Sequence, residues 1–284
     1  MSRLENKIDF VLLVSVTDAN PNGDPLNGNM PRETIDGYGE ISDVCIKRKI
    51  RNRFQDLGEE IFVQSNGREN DEMKSLKDRF DSRKTDWKKG SKKIDESELG
   101  TLAAKTWIDV RAFGQVFAFK DADSSSGVSI SVRGPVTIRT AISVTPIDII
   151  STQITKSVNS ENKKTKDSST MGMKHRVGFG LYSIKGSVNV QLAKKTGFSK
   201  EDANLLKEAL ATLFENDASS ARPEGSMEVC RLYWWEHESE TPRISSAKIH
   251  RSIHIEAKTD TPKSFDDYMV EVESIDGIVP EIVV

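Results

Sequence analysis

The side chains best suited to chemistry in this sequence are basic groups that fall within one short segment. They are Lys47, Arg48, Lys49, Arg51 and Arg53. Apolar residues run through the same segment at helical spacing, namely Ile46, Ile50, Phe54 and Leu57. With Ser42 as the N-cap and Gly58 after the last turn, this pattern predicts a helix over 43–57 that buries one apolar face.

The basic residues divide between the two flanks of this predicted helix. Lys47 and Arg51 lie on one flank. Lys49 and Arg53 lie on the other, and of these four residues only these two can reach Asp56. Such a run is usually a solvated basic face, but the scarcity of neutralising acids favours contact with phosphate groups. We therefore predict that the basic residues of this helix bind a nucleic-acid backbone.

A long loop rich in Asn, Gly, Pro and Asp precedes the helix, at residues 18–40. Loops of this length inside a compact domain are usually functional. The first residues match the start of a calcium-binding EF-hand loop, but Asn29 stands where the bidentate Glu should be. The loop is therefore a set of Asx turns, or a loop whose amides follow a phosphodiester chain. The second interpretation predicts RNA contacts from Asn20, Asn22 and Gly23.

Charge is segregated along the rest of the chain. Residues 156–176 carry six Lys and Arg against two acids, and the last twenty residues carry six acids and no Lys or Arg. The first segment is too poor in apolar groups to pack, so we predict a mobile projection there. The acidic segment suits a surface that meets a basic neighbour.

A partial RNA-recognition motif follows the projection. Gly178-Phe179-Gly180 matches the centre of the RNP1 pattern of RRM domains, but Leu181 stands in place of the second aromatic ring. Phe179 is therefore at least as well suited to a structural role as to base stacking.

The composition excludes several classes of protein. The chain has 284 residues, with 41 Lys and Arg against 44 Asp and Glu. Its two cysteines cannot form a disulfide framework, and its four histidines show no metal-ligand or triad spacing. No apolar run is long enough to cross a membrane, and no targeting segment is visible. We expect a cytoplasmic protein that uses no cofactor, no metal and no membrane.

The pattern of elements predicts the α+β class. Strands are predicted at 8–17, 110–119, 128–150, 179–192 and 227–235, and a second helix at 200–216. Residues 59–105 are charge-rich, and we predict an insertion with little core of its own. Strand, basic helix, strand pair, helix and strand then follow the βαββαβ order of an RRM or ferredoxin-like sheet.

Three motifs of the sequence resemble one known family. They are Asn20-Pro21-Asn22-Gly23-Asp24-Pro25, residues 37–51, and Asp109-Val110-Arg111-Ala112-Phe113-Gly114. With these motifs, the chain closely resembles the Cas7 family, the backbone subunits of type I CRISPR Cascade complexes, and the I-C subtype is nearest. The resemblance extends over nearly the whole chain.

The resemblance implies a hand-shaped protein with an RRM-like palm, a helical fingers insertion and a β-hairpin thumb. The palm would comprise residues 1–57, 106–151 and 179–284. The fingers would comprise residues 58–105, and the thumb residues 152–178.

The resemblance also implies roles for particular residues. The first palm helix holds the RNA backbone in this family, which places Lys47 and Arg51 on RNA-binding positions. The thumb corresponds by location only. That location adds four predicted RNA contacts, Met171, Met173, Lys174 and His175.

The implied partners are a CRISPR guide RNA, other Cascade subunits, and further copies of the chain in a homo-oligomeric filament. The guide would then pair with target DNA, and the chain would be no enzyme. Related subunits of type III effectors cut RNA with a loop aspartate, so the alternative is a metal-dependent nuclease that uses Asp18, Asp24 or Asp36. A lone RRM-type regulator is disfavoured by the missing aromatic ring.

Overall fold

The computed structural model describes residues 2–87, 94–119, 128–155 and 171–284. The strands are β1 (Ile8–Ala19), β2 (Gly23–Asp24), β3 (Met30–Pro31), β4 (Tyr38–Ile41), β5 (Gly114–Phe119), β6 (Val128–Arg133), β7 (Val136–Ile138), β8 (Ala141–Pro146), β9 (Ile149–Thr155), β10 (Met171–Val188), β11 (Met227–Glu236), β12 (Ile253–Ala257), β13 (Tyr268–Val272) and β14 (Glu281–Ile282). The helices are α1 (Asp43–Asp56), α2 (Leu76–Trp87), α3 (Glu96–Thr106), α4 (Ile108–Phe113), α5 (Val190–Thr196), α6 (Lys200–Ala211) and α7 (Ser246–Arg251), with one 3₁₀ turn at Phe265–Asp267. None of the helices in these ranges is long and apolar enough to cross a membrane.

The main sheet has eight strands, and all its pairings are antiparallel. Its order is β14-β11-β1-β10-β8-β4, while β7 and β9 also pair with β10. If β1, β8, β10 and β11 are taken as the first to fourth strands of the predicted βαββαβ unit, they lie in the order fourth, first, third, second. The α+β class with an antiparallel sheet is therefore confirmed.

One face of this sheet carries the main core. Alternate residues of β1 point to it and are fully buried, including Phe10, Leu12 and Val14. Helices α1 and α6 cover this face, and the predicted apolar residues Ile46, Ile50 and Phe54 of α1 are buried in it. Phe10 also stacks on Trp234 of β11, with ring centroids 5.7 Å apart.

The opposite face of the sheet is covered as well. Val11, Leu13 and Leu181 form a second apolar cluster with residues of α7 and of the β12–β13 hairpin. Phe179 belongs to this cluster, and its ring lies 6.4 Å from that of Tyr268. The structural role that the sequence left open for Phe179 is therefore the one observed.

A third apolar cluster lies in and after the segment 59–105. It is aromatic: Phe62 lies 4.7 Å from Trp107, and Phe80 lies 4.8 Å from Phe117, measured between ring centroids. The prediction that this segment has little core of its own is wrong, because rings that are far apart in sequence converge on α3 and the β5–β6 hairpin.

The predicted strand at 110–119 is also partly wrong. Residues up to Phe113 belong to helix α4, and the strand begins only at Gly114. The change of direction needs a glycine: φ is +79° at Gly114, and a Cβ there would lie 2.3 Å from the Val132 carbonyl oxygen. The strand predicted over 179–192 is also partly wrong, at its other end. Strand β10 stops at Val188, and helix α5 follows.

The predicted thumb contains two paired strands. The arms β9 and β10 pair from Thr155 opposite Met171 to Ile149 opposite Val177. Residues 156–170, where we predict a mobile projection, lie outside the described residues.

A buried ion pair connects the third cluster to the main core. Arg111 of α4 donates from Nε to Oδ2 of Asp202 at 2.9 Å and from Nη2 to Oδ1 at 2.8 Å. Both side chains are more than nine-tenths buried. Because Arg111 Nη1 also donates to the Ala104 carbonyl at 2.8 Å, this side chain links the end of the insertion to α6 with defined geometry.

The third cluster predicts a large cost for Phe80→Ala. Truncating a fully buried ring leaves a cavity, and the free energy of unfolding should fall by about 3–5 kcal/mol. Urea denaturation measures this change. Val116→Ala is the control, because Val116 is exposed, and its effect should stay within about 0.5 kcal/mol. A similar small loss in both variants would mean that the cluster is not a packed core.

Candidate nucleic-acid interface

The start of helix α1 is fixed by the loop before it. Ser42 is the N-cap, and its Oγ accepts a hydrogen bond from the Cys45 N–H at 3.3 Å. Asn22 in turn accepts from Ser42, at 2.9 Å from the backbone N–H and at 2.8 Å from the hydroxyl. The loop therefore sets the position of the helix at its first turn.

The other loop residues predicted to contact RNA also have internal roles. Asn20 is buried, and its Nδ2 donates to the Asn29 carbonyl at 2.7 Å. Gly23 lies so close to Asn29 that a Cβ would fall 2.1 Å from the Asn29 side-chain oxygen. Asp24 Oδ1 accepts from the Leu26 N–H at 3.2 Å, which is an Asx turn. The contacts of Asn20, Asn22 and Gly23 with RNA remain a prediction.

The cations of helix α1 pair with a larger number of acids than the sequence suggested. Lys47 bonds to Asp43 at 2.9 Å, one helical turn earlier. Lys49 is only 4% exposed and pairs with Asp217, and burial lowers the pKa of its amine although Asp217 acts in the opposite direction. Asp56, the one acid expected to help, pairs with Arg68 instead.

Three further cations are held by partners from other parts of the chain. Arg51 Nε donates to Asp109 Oδ2 at 2.9 Å, and its guanidinium lies 5.0 Å from the Phe113 ring centroid. Arg48 Nη1 donates to the Val63 carbonyl at 2.5 Å, and burial followed by the charge of Arg51 lowers the pKa of Arg48. The third is Arg53, which bonds to Thr212 Oγ1 at 2.7 Å and to Glu215 at 2.9 Å.

The expectation of a flank with almost no acid is therefore wrong. Its physical reason is that Asp109, Glu215 and Asp217 lie far away in sequence, and Asp43 lies one turn before Lys47. The sequence held a signal for two of these acids: Asp43 lies four residues before Lys47 on the predicted helix, and Asp109 opens one of the three family motifs. Lys47 is the most accessible of the ion-paired cations of the helix, with 24% of its side chain exposed.

The hairpin presents a different surface. Met171 and Met173 are 61% and 54% exposed, and they share one face of β10 with His175. His175 Nδ1 lies 2.7 Å from Ser151 Oγ on the paired strand. Lys174 is exposed on the other face. The structure thus places Met171, Met173 and His175 on one face of the hairpin and Lys174 on the other.

Two of the three loop aspartates of the nuclease alternative, Asp18 and Asp24, are engaged by arginines. Asp18 bonds to Arg176 Nε at 2.9 Å, and Asp24 lies 3.4 Å from Arg32 Nη2. Over the described ranges, no group of three or more His, Cys, Asp or Glu side chains is placed to hold a metal ion. These ion pairs favour a structural role for Asp18 and Asp24.

Together these features define an α+β protein with an antiparallel sheet, both of whose faces are covered, and a basic helix braced against an aromatic insertion. The chain belongs to the family described as CRISPR-associated protein Cas7, whose model matches residues 6–273.

The individual relatives and solved structures that match this chain share little sequence identity with it. The CRISPR-associated protein Cas7 of Haloferax volcanii is 26% identical over 233 residues, which cover 76% of this chain and 66% of that protein, slightly under two thirds of its length. A solved chain of a CRISPR RNA-guided surveillance complex in a pre-nicking state is 14% identical, with a TM-score of 0.47 and coverage of 86% of this chain and 81% of that one. Another surveillance-complex chain is 15% identical, with a TM-score of 0.45 and coverage of 87% and 74%.

The buried position of Asp109 predicts a large effect of Asp109→Asn. The carboxylate is fully buried and accepts from Phe62 N–H at 2.8 Å and Val63 N–H at 3.1 Å as well as from Arg51. Removing its charge leaves Arg51 without a buried counter-charge, so the free energy of unfolding should fall by about 3–5 kcal/mol in urea denaturation.

Asp43→Asn is the matched control, because it removes the counter-charge of a partly exposed pair on the same helix. Its cost should be no more than about 1 kcal/mol. Equal costs for Asp43→Asn and Asp109→Asn would contradict the bracing role of Asp109.

Proposed function

We propose that this chain is a CRISPR RNA-binding backbone subunit of a type I, I-C-like Cascade complex in the cytoplasm. Copies oligomerise along the guide RNA, beside other Cascade subunits, and present the guide for pairing with target DNA. The observation that carries this proposal is the family match over residues 6–273. The I-C assignment rests on the motifs of the sequence alone. In this function the chain performs no chemistry and needs no cofactor.

The hand-shaped division of the chain follows from the same proposal. The main sheet with α1 and α6 serves as the palm, and the β9–β10 hairpin serves as the thumb. The third apolar cluster extends past residue 105 to the β5–β6 hairpin. This continuity supports fingers that comprise residues 58–133 instead of 58–105.

The helix can hold RNA although its cations are paired. A guanidinium has five N–H donors, and Arg51 uses only Nε for Asp109 in the described contacts. Its Nη groups therefore remain able to donate to a phosphate. Asp109 fixes the plane of this guanidinium before RNA binds, which reduces the entropy that binding must remove. Lys47 adds a second cation. Its partner, Asp43, is partly exposed, so a phosphate can take the place of this carboxylate beside Lys47.

The thumb suits a different task. Met171 and Met173 are exposed apolar side chains on one face of a strand pair. Apolar side chains of this kind insert between base steps in other nucleic-acid complexes. We assign these two methionines to the displacement of a guide base beside the next copy of the chain.

Lys47→Ala tests the grip of the helix. Each phosphate contact on a single strand contributes about 0.7 to the slope of log K against log salt, so the slope should fall by about 0.7. Fluorescence anisotropy with a guide-length RNA at several salt concentrations measures it. Arg51 is unsuitable for charge reversal, because a Glu there would face the buried Asp109.

Lys200→Ala is the control for this measurement. Lys200 also pairs with an acid, Glu236 at 3.1 Å, but on α6. Its slope should equal that of the unmodified chain, and both variants should keep the native circular dichroism spectrum. A slope unchanged by Lys47→Ala would remove Lys47 from the interface.

Met171→Ser combined with Met173→Ser tests the thumb. RNA affinity of the single chain should be kept, while the regular spacing of nuclease protection along the guide in assembled complexes should be lost. Met269→Ser is the matched control, since Met269 is an exposed methionine on β13, at 44%. If the double variant still gives evenly spaced protection, the wedge does not lie in this hairpin.

A further inference from the structure

A cationic cleft lies on the face of the main sheet opposite α1. It is formed where strand β12 approaches β8 and β10, and its volume is about 300 Å³. Arg139 and Lys185 supply its charge, Ser183 lines it, and Ile142 and Ile255 form apolar walls. None of the residues assigned above to RNA binding lies in this cleft.

The two cations of the cleft are held side by side without a counter-charge. The Arg139 backbone N–H donates to the Lys185 carbonyl at 2.9 Å, which fixes the two residues next to each other. Across the described ranges, no carboxylate lies within ion-pair distance of either side chain. Burial and the charge of Arg139 lower the pKa of the Lys185 amine. Two like charges in this position lack an anion that would offset their repulsion.

The buried acid on this face, Asp9, is already engaged. Asp9 is fully buried, bonds to His237 Nε2 at 2.7 Å and lies 3.1 Å from Lys7 Nζ. On the other side of Asp9, His250 Nε2 lies 3.0 Å from the Gly186 carbonyl and 3.8 Å from Asp9 Oδ1. Asp9 therefore does not neutralise Lys185.

The cleft also holds a hydroxyl group without a partner. Ser183 Oγ is buried from solvent and makes no hydrogen bond in the described structure. By contrast, the neighbouring Ser143 hydroxyl is fully used, because it accepts from Gly39 N–H at 2.8 Å and donates to the Thr145 carbonyl at 2.6 Å. A buried donor left unpaired beside two cations is the arrangement that an oxyanion completes.

We propose that this cleft binds a backbone phosphate of a single-stranded nucleic acid. The guanidinium of Arg139, the amine of Lys185 and the Ser183 hydroxyl would donate to its oxygens. The isoleucine walls suit the apolar part of the adjoining sugar. This contact is separate from the guide-RNA contact proposed for α1 and does not require it.

The test is the double variant Arg139→Ala, Lys185→Ala in the full chain. Binding of a short fluorescein-labelled single-stranded RNA, and of a DNA of the same sequence, is measured by anisotropy between about 50 and 200 mM salt. Loss of two phosphate contacts should lower the salt slope by about 1.4, so that the rise in Kd over this range becomes about sevenfold smaller. A loss with one probe only assigns the cleft to that strand, and a loss with both assigns it to either.

Lys195→Ala combined with Arg243→Ala is the matched control. Both residues are exposed cations outside the cleft, and the control removes the same net charge. The slope should fall in the cleft variant and not in the control. An unchanged slope with both probes, or an equal fall in the control, overturns the proposal.

A second variant and a second measurement keep the test decisive. Arg139→Gln with Lys185→Met retains the side-chain stems, and it replaces the alanine variant if the latter does not fold. Acylation of the Lys185 amine, followed by mass spectrometry, should be slowed by the bound probe in the unmodified chain and in the Lys47→Ala variant alike. The Lys47→Ala result could therefore contradict the helix interface while the cleft result still stands. Likewise, the cleft proposal could fail while the helix interface stands.

Discussion

The buried carboxylate of Asp109 is the contact on which the arrangement of this molecule depends. It receives two backbone N–H groups from the start of the insertion and the Nε–H of Arg51 from the first helix. A carboxylate without solvent exposure is costly unless its oxygens are satisfied, and here three donors satisfy them. Because the donors come from separate segments, the insertion cannot move away from the helix without exposing an unpaired charge.

The same constraint determines what the basic helix can offer to a polyanion. Four of its cations are held by acids from the helix itself, from α4 and from the segment after α6, and Arg48 is held by the Val63 carbonyl. Each therefore has a fixed direction before any ligand arrives. A phosphate gains less net charge attraction from such a surface than from free cations, but it loses less side-chain entropy on binding. Lys47 and Arg51 differ in this respect. Lys47 can exchange its partner, whereas Arg51 must keep Asp109 and can use only its remaining donors.

The sequence predicts the parts of the fold whose signal is periodic and local. Strand β1, helix α1 and the start of helix α6 lie where their apolar spacing and N-caps place them. The capping box of Ser199 and Asp202 is an example of a local signal that the structure contains. The predicted strands at 110–119 and 179–192 extend into parts of the short helices α4 and α5, because a helix of six or seven residues shows two turns of periodicity at most.

Contacts between distant segments were the part that the sequence could not provide. Nothing in the spacing of Asp217 or Glu215 indicates that they face Lys49 and Arg53, and the rings of the third cluster are dispersed over the stretch from Phe62 to Phe117. The predicted basic flank was therefore correct in composition and wrong in its partners. Pairing of charges across a fold depends on tertiary packing, which helical periodicity does not report.

The covered sheet limits how this protein can recognise nucleic acid. An RRM domain presents stacking rings on an open sheet face, whereas here α7 and the β12–β13 hairpin occupy that face and Phe179 packs beneath them. In the function proposed above, contacts from the basic helix, the hairpin and the cleft of Arg139 and Lys185 take the place of base stacking on the sheet centre. Lysine and arginine at such margins contact the phosphate backbone, which positions a strand without reading its sequence. A protein that held its guide by the contacts proposed above would accept any guide, because those contacts depend on the path of the backbone and not on the identity of the bases.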